Sequence, residues 1–447
     1  MRRLGASLVS FGACCLLFAV AGAAAASGST GRAVALGRTV GAPVTVAADP
    51  VGLSVEYQVL AADFGAGACP PPALVSAIEG LGVPALRIGG DSQDQTAPYG
   101  APPLTGVSDL PAAFWSQLAC LESQTHQPVV VGLNLASEMP AWAATMAAGA
   151  RSAVPAALLS FEIGNEADID GPAVAWSNAG PQARSLIPFQ TYLDTAEAIA
   201  GQLGAGADIE GPDFATGRWI SDIPQLVSAL GLSTIDTHFY PLNACTGAAQ
   251  ATIPALLSRG ASSLSRSVLA TQAQAERAQR TMVISESNSV ACRGKAGVSN
   301  SPAAAVWALR LVLNAVRGGI QSVRFHSSGS SYDPFVVSAG AVTMRPLYYG
   351  LQTAQRLLPL GASVTSLQTP RSLMAVLVRD PGGRLAYVVT NYGRGSRTVT
   401  VRSPVGASLL TVSNTRQVVS TAGVRSFHGA LTVHVAPATV VAIELGA

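Results

Sequence analysis

Ser160-Phe-Glu-Ile-Gly-Asn-Glu-Ala167 reads as a short buried strand that stops in a polar tip. Phe161 and Ile163 are strand formers, Gly164 permits a close turn, and Asn165-Glu166 stand where the strand ends. A second apolar run, Met282-Val-Ile-Ser285, ends at Glu286 in the same way. Working outward from these two, six more strand-like runs appear: Val51–Tyr57, Ala85–Ile88, Val129–Leu135, Asp208–Gly211, Thr234–Phe239 and Val323–His326. Segments of helical character lie between and after them, at Pro72–Leu81, Ala112–Gln124, Pro140–Ala148, Phe189–Leu203, Pro224–Leu230, Ala251–Gln279, Ala303–Arg317 and Pro346–Leu357. Most open near a proline or a polar residue, as helix starts do. Eight strand–helix units imply parallel strands buried on both faces, and the count predicts an α/β fold, a (β/α)8 TIM barrel over residues 51–357. A doubly wound sheet is the competing arrangement.

Beyond residue 357 the texture changes to short β-rich pieces: Met374–Arg379, Leu385–Asn391, Arg397–Val401, Ser408–Thr411, Leu431–Val435 and Thr439–Leu445. Turn signals such as Asp380-Pro-Gly-Gly383 separate some of them. Residues 358–447 are therefore expected to form a C-terminal antiparallel β-sandwich. The segment 27–50, with a short strand expected at Val44–Ala47, is expected to join it. No internal repeat of fixed period is evident.

The chain of 447 residues is 49% hydrophobic and 12% charged, enough to bury a large core and too apolar for disorder. Residues 1–26 follow the plan of a secretory signal: Arg2-Arg3, an apolar run, then Ala23–Ala26. Their removal takes two arginines and no acids from a net charge of +2, leaving about zero. Nothing then suggests nucleic acid or an anionic membrane surface as a partner, and neither is expected. No later apolar run suggests a membrane span, so a secreted protein is expected; a monomer is taken as its state, though nothing in the sequence fixes it. Four cysteines remain outside the signal, Cys69, Cys120, Cys245 and Cys292. An even number in an exported chain suggests disulfides. Of the three pairings, Cys69–Cys120 with Cys245–Cys292 is favoured, because each would tie neighbouring loops. No close Cys or His spacing suggests a metal site.

In a barrel, reactive groups gather at the C-terminal ends of the strands. Glu166 ends the fourth strand and Glu286 the seventh. The other strand ends carry Glu56, Arg87 and Asp91, Asn134, Asp213, His238 and Tyr240, and His326. Two glutamates on separate strands are what retaining glycoside hydrolysis needs: one protonates the leaving oxygen and the other attacks the sugar carbon. Glu166 suits the acid/base, with Asn165 placed to bond a sugar hydroxyl. Glu286 suits the nucleophile, with Tyr240 and Arg87 as candidate donors to keep it ionised. Leu86-Arg-Ile-Gly-Gly-Asp-Ser-Gln-Asp94 suits a loop gripping hydroxyls, with Asp91 as ligand. It lacks the Gly-Lys-Ser/Thr ending of a phosphate loop. Two carboxylates and water require no cofactor.

Seven strings together resemble family 79 glycoside hydrolases, the β-glucuronidases and heparanase-like enzymes. They are Gly52-Leu-Ser-Val-Glu56, Arg87-Ile-Gly-Gly-Asp-Ser-Gln-Asp94, Glu162-Ile-Gly-Asn-Glu166, Thr237-His-Phe-Tyr-Pro241, Ser285-Glu-Ser-Asn-Ser289, Gly297-Val-Ser299 and Arg345-Pro-Leu-Tyr-Tyr-Gly350. They span most of the chain in family order. The resemblance implies a barrel with a β-sandwich built from both chain ends, and retaining cleavage of β-glucuronides with Glu166 as acid/base and Glu286 as nucleophile. A glucuronide carboxylate needs a cation or clustered N–H donors. Lys295, the only lysine, lies in Cys292-Arg-Gly-Lys-Ala-Gly297 just after Glu286, so Lys295 or the backbone around Gly297 is expected to hold it. Tyr332 completes the expected substrate-binding set. The lack of basic runs favours small glucuronides or short oligosaccharides over long sulfated polymers. Alternatives are a β-xylosidase or arabinofuranosidase on the same barrel, or a catalytically silent sugar-binding protein.

Overall fold

The computed structural model describes residues 33–169, 187–204, 206–415 and 417–446. The expected signal segment, 1–26, lies outside them. Eight parallel strands form a closed barrel: Val51–Glu56, Ala85–Gly89, Val129–Leu133, Leu158–Ile163, Ile209–Gly211, Thr234–Phe239, Thr281–Ser287 and Val323–Ser327. They pair in chain order, and the eighth closes on the first through Val323↔Val51 to Ser327↔Val55. That closure excludes a doubly wound sheet. Alternate side chains point inward and outward along each strand. The outward ones, such as Leu53, Val131, Phe161 and Ile284, are buried under the helices.

Helices follow the strands at 72–79, 114–125, 140–153, 189–203, 223–230, 266–277, 302–317 and 346–357. Two differences from the expectation have physical causes. The single helix expected over 251–279 is three helices, Ile253–Leu256, Arg259–Ser262 and Arg266–Arg277. The hydroxyls of Thr252, Ser258 and Ser265 each accept a backbone N–H at a new helix start, so three caps divide the run. The first strand stops at Glu56, and Tyr57 opens an additional helix to Phe64. No side-chain cap marks that start, which hides it from sequence.

Antiparallel sheets follow the barrel. A seven-stranded sheet runs in the order 39–45, 363–367, 373–379, 385–391, 440–445, 407–412, 419–424. A three-stranded sheet runs 34–36, 397–402, 430–435. Between them Leu36, Leu373, Val389, Val399, Val401, Leu431, Val433 and Ile443 form a separate apolar cluster. The other face of the large sheet, through Val364, Met374, Val376, Val388 and Ala442, shares the core of the barrel. Arg310, fully buried on the helix 302–317, ties the two by donating to the carbonyls of Leu257 and Asn391, each at 2.9 Å.

Disulfides join Cys69 to Cys120 and Cys245 to Cys292, with Cα separations of 5.5 and 5.8 Å. Among the described residues, no helix is long and apolar enough to cross a membrane.

Candidate active site

The inward-facing residues at the strand ends converge on Arg87. Its guanidinium, wholly buried, donates to Glu162 at 2.5 Å, Ser54 at 2.9 Å, Glu286 at 2.9 Å, Asn165 at 3.1 Å and also to Asp213. Five donors in a planar fork make arginine the one side chain able to meet this set. Arg87 thus links the ends of strands one, two, four, five and seven.

Glu286 is held from several sides. Oε1 accepts from the Tyr240 hydroxyl at 2.7 Å, and Oε2 from Arg87. His326 Nδ1 lies 3.4 Å from Oε2 and His238 Nδ1 lies 3.9 Å from Oε1. Burial alone would raise its pKa; His326, His238, Arg87 and the Tyr240 bond overcome this and hold it down at about 2. Glu286 is therefore ionised at any ordinary pH.

Glu166 stands across from it. One carboxylate oxygen of each lies within 4.8 Å of the other. Glu166 Oε1 is 2.7 Å from His238 Nδ1, and the side chain remains 15% exposed. Its backbone is in the left-handed region, φ 51°, where non-glycine residues cost about 1 kcal/mol or more. That conformation is held by its N–H donating to the Asp213 carbonyl at 3.0 Å. Gly164 before it also has positive φ, and a Cβ there would stand 2.6 Å from Leu135. Gly164 is thus needed twice over.

His238 bridges two carboxylates, with Nε2 2.7 Å from Asp213 Oδ1. Asp213 also accepts from Ser285 at 2.9 Å. Burial tends to raise the Asp213 pKa, but Arg87 and His238 carry it well below the carboxylate range. On the opposite side His326 Nε2 is 3.1 Å from Glu56 Oε1, and Glu56 Oε2 accepts the Ser92 N–H at 2.7 Å. Gly90 permits this approach: a Cβ there would lie 2.7 Å from His326 and 2.9 Å from Glu56. The segment Gly90–Gln95 is a 3-10 turn rather than an open loop. Asp91 accepts from the Asn165 amide at 3.3 Å.

Asn134 and the Lys295–Gly297 segment are engaged differently from the rest of the expected set. Asn134 is buried and spends its amide on the Thr96 carbonyl and the Ser137 N–H. Lys295 Nζ donates to the Ala248 carbonyl at 2.5 Å, near the surface. The N–H groups of Gly294, Lys295, Gly297, Val298 and Ser299 all have partners within their own loop or its flanks. That loop therefore does not present a cluster of unused donors. Tyr332 is buried, its ring 6.4 Å from Tyr240 and 5.8 Å from His326, and its hydroxyl accepts from Ser328.

A layer of charge lies deeper in the barrel. Arg324 pairs with Glu210, and Glu162, Glu210 and Asp236 bring one oxygen each within 4.8 Å of one another. Burial, then Asp213, Glu162 and Glu210, push the Asp236 carboxyl well above its ordinary pKa. Asp236 Oδ1 accepts the Asp213 N–H at 2.6 Å. These residues were missed from sequence. Their signal was a charged residue at an inward position of an otherwise apolar strand. Glu166, His238 and Glu286 have metal-ligand proximity too, but Arg87 and Tyr240 already donate to the two Glu286 oxygens, and a cation there would face the Arg87 guanidinium, 2.9 Å from Oε2.

No protein-family model matches the sequence, and no curated protein sequence matches it. Solved structures do share its shape. A 4-O-α-L-rhamnosyl-β-D-glucuronidase from Fusarium oxysporum 12S superposes with a TM-score of 0.70 at 18% identity, covering 92% of this chain and 100% of that one. A family 51 arabinofuranosidase from Xanthomonas axonopodis pv. citri gives 0.67 at 13% identity, covering 92% and 99%. A family 30 endoxylanase from Clostridium papyrosolvens C71 gives 0.58 at 12%, covering 93% and 99%. The chain has the (β/α)8-barrel and β-sandwich fold of these glycoside hydrolases.

Proposed function

We propose that this protein is a retaining glycoside hydrolase acting on β-glucuronides by double displacement. Glu286 is the nucleophile and Glu166 the acid/base. The observation that carries the reading is the pair itself: two carboxylates on separate strands, one oxygen of each within 4.8 Å of the other. Retaining enzymes hold their carboxyl groups about 5–5.5 Å apart, whereas inverting ones leave about 6.5–9.5 Å for a water. Their surroundings differ as the roles require. Glu286 is clamped by two donors and stays ionised, while Glu166 is more exposed and, among the described residues, bonded to His238, a group that can itself carry a proton.

The first step forms the Glu286–sugar ester as Glu166 gives its proton to the leaving oxygen. The second returns that proton to Glu166 from the attacking water, which frees Glu286 and releases the sugar with its configuration retained. Glu286→Gln and Glu166→Gln should each lower kcat/KM on an unactivated β-glucuronide by about 10²-fold or more. Unchanged turnover in Glu286→Gln refutes the nucleophile. The anomer first formed, read by NMR, decides retention.

The glucuronide assignment rests on the resemblance of the sequence strings and on the glucuronidase among the structural neighbours. Lys295 would serve the carboxylate by leaving the Ala248 carbonyl. Lys295→Ala should then weaken activity on an aryl β-glucuronide far more than on the matching glucoside, and equal losses remove Lys295 from that role. The engagement of Lys295 with Ala248 favours the second reading, an arabinofuranosidase or β-xylosidase on the same barrel. A panel of chromogenic glycosides separates the two.

A further inference from the structure

His238 has a carboxylate oxygen 2.7 Å from each ring nitrogen, Glu166 Oε1 at Nδ1 and Asp213 Oδ1 at Nε2. A neutral imidazole has one N–H to offer. With Asp213 and Glu166 both ionised, only the imidazolium satisfies both contacts. With the ring neutral, one of the carboxyls must carry a proton. Either way the three groups together hold one proton beyond the N–H that faces Asp213.

Asp213 is not the one that takes it. Arg87 and the Ser285 hydroxyl donate to its two oxygens, so it stays an anion and demands Nε2–H. The free choice is at the other nitrogen: the proton rests on Nδ1 or on Glu166 Oε1. Among the described residues, the charged groups facing the ring are Glu166 beyond strand four, Asp213 beyond strand five and Glu286 at the end of strand seven, 3.9 Å from Nδ1. Arg87 stands behind Asp213 and touches Glu286 as well.

We propose that Glu166 and His238 share the transferable proton, and that Asp213 is a positioning residue which fixes the ring tautomer and keeps Nδ1 turned to Glu166. This rests on the reading of Glu166 as acid/base. While Glu286 is an anion it favours the proton on Nδ1. As Glu286 bonds to the sugar its charge vanishes, that attraction is lost, and the proton passes from Nδ1 to Glu166 and on to the leaving oxygen. In the second step water loses a proton to Glu166, its hydroxide bonds to the sugar carbon, and Glu286 regains its charge, which draws the proton back to Nδ1. Burial alone would lower the His238 pKa; Asp213 and Glu286, with the bonds to Asp213 and Glu166, carry it well above the ordinary value.

The test is Asp213→Asn in the full chain, assayed on two β-glycosides that differ only in the leaving group. An alkyl leaving group needs the proton and a dinitrophenolate does not. The alkyl substrate should lose about 10²-fold in kcat/KM, with the basic limb of its pH profile moved down by about one unit or more. The dinitrophenyl substrate should fall far less. Equal losses on both, or an unmoved basic limb, would overturn the proposal and leave Asp213 a purely structural residue. Should the variant not fold, ¹⁵N-histidine NMR of the wild-type chain decides. The resonances absent from His238→Gln should show an imidazolium persisting above the ordinary histidine range, and a ring that is neutral throughout that range would overturn Nδ1 as the proton's resting place while Glu286 is an anion. Glu166→Gln on the same two substrates tests the underlying assignment separately: if it hydrolyses the alkyl glycoside normally, Glu166 is not the acid, whatever His238 does.

Discussion

Replacing Arg87 by methionine removes a guanidinium that touches three buried carboxyl groups, Glu162, Asp213 and Glu286. Breaking a buried pair by deleting one partner costs about 3–5 kcal/mol, because the survivor is left uncompensated. Three survivors share the loss, and they soften it by taking up protons. Glu286 is held at about 2 against an ordinary 4.5, a difference equivalent to about 3 kcal/mol of preference for the ionised form. His326, His238 and Tyr240 supply part of that and remain. A net loss of about 4 kcal/mol at pH 7.5 is expected. The sign of its pH dependence follows from the direction of the shifts. Asp213 and Glu286 have native pKa values below their unfolded ones, so their stabilisation is present above pH 4–5 and disappears as pH falls through the native values. Glu162 behaves oppositely, carried up to about 8 by burial, with Asp213 and Glu210 adding, against the pull of Arg87 and Arg324. Without Arg87 it takes a proton more readily and adds no charge. Urea unfolding of wild type and Arg87→Met at pH 7.5 and 4.0 should therefore show a gap that narrows at the lower pH. A loss under about 1 kcal/mol, or one equal at both pH values, would refute the claim that Arg87 neutralises this cluster.

Tyr240→Phe deletes the donor to Glu286 Oε1, so the Glu286 pKa rises and, with Glu286 as the proposed nucleophile, the acid limb of kcat/KM should move to higher pH, measured between pH 2.5 and 6. Gly350→Ala would place a Cβ 2.5 Å from the Ala305 carbonyl where helices 302–317 and 346–357 cross, and should lower the melting temperature by the equivalent of about 1–3 kcal/mol despite alanine's better helix propensity. Replacing Cys69 and Cys120 together by serine should cost about 2–4 kcal/mol, read as a shift in the urea midpoint that reductant no longer enlarges at that site.

Most of the barrel was legible because parallel strands buried on both faces are written as continuous apolar runs, and each run here breaks off in a polar residue. Thr234–Phe239 and Phe189–Leu203 have the same limits in sequence and structure. The strand Val419–Val424 was not legible, since Ser420, Thr421 and Ala422 leave it without apolar alternation and it forms the outer edge of its sheet. In the site, Arg87, His238, Tyr240 and Glu286 could be named from their positions at strand ends. Which of them touch could not. The contacts depend on barrel stagger, and the seventh strand shifts register against its neighbours near Glu286. The deeper layer escaped for a different reason: Glu162, Asp236 and Arg324 lie within strands, where hydropathy reads a single charge as noise and only the closed barrel shows that they face one another.

Strands 34–36 and 39–45 are made before any barrel residue, yet their partners are 397–402 and 363–367. During synthesis these two segments wait as unpaired edges until more than three hundred further residues have followed. A ribosome that stops after the last barrel helix would release a chain whose leading strands have nowhere to dock, and whose helix 302–317 still shows the apolar side meant for the large sheet. Closing the sandwich thus draws on chain from both sides of the barrel, and the large sheet can cover the helix 302–317 only after its later strands are made.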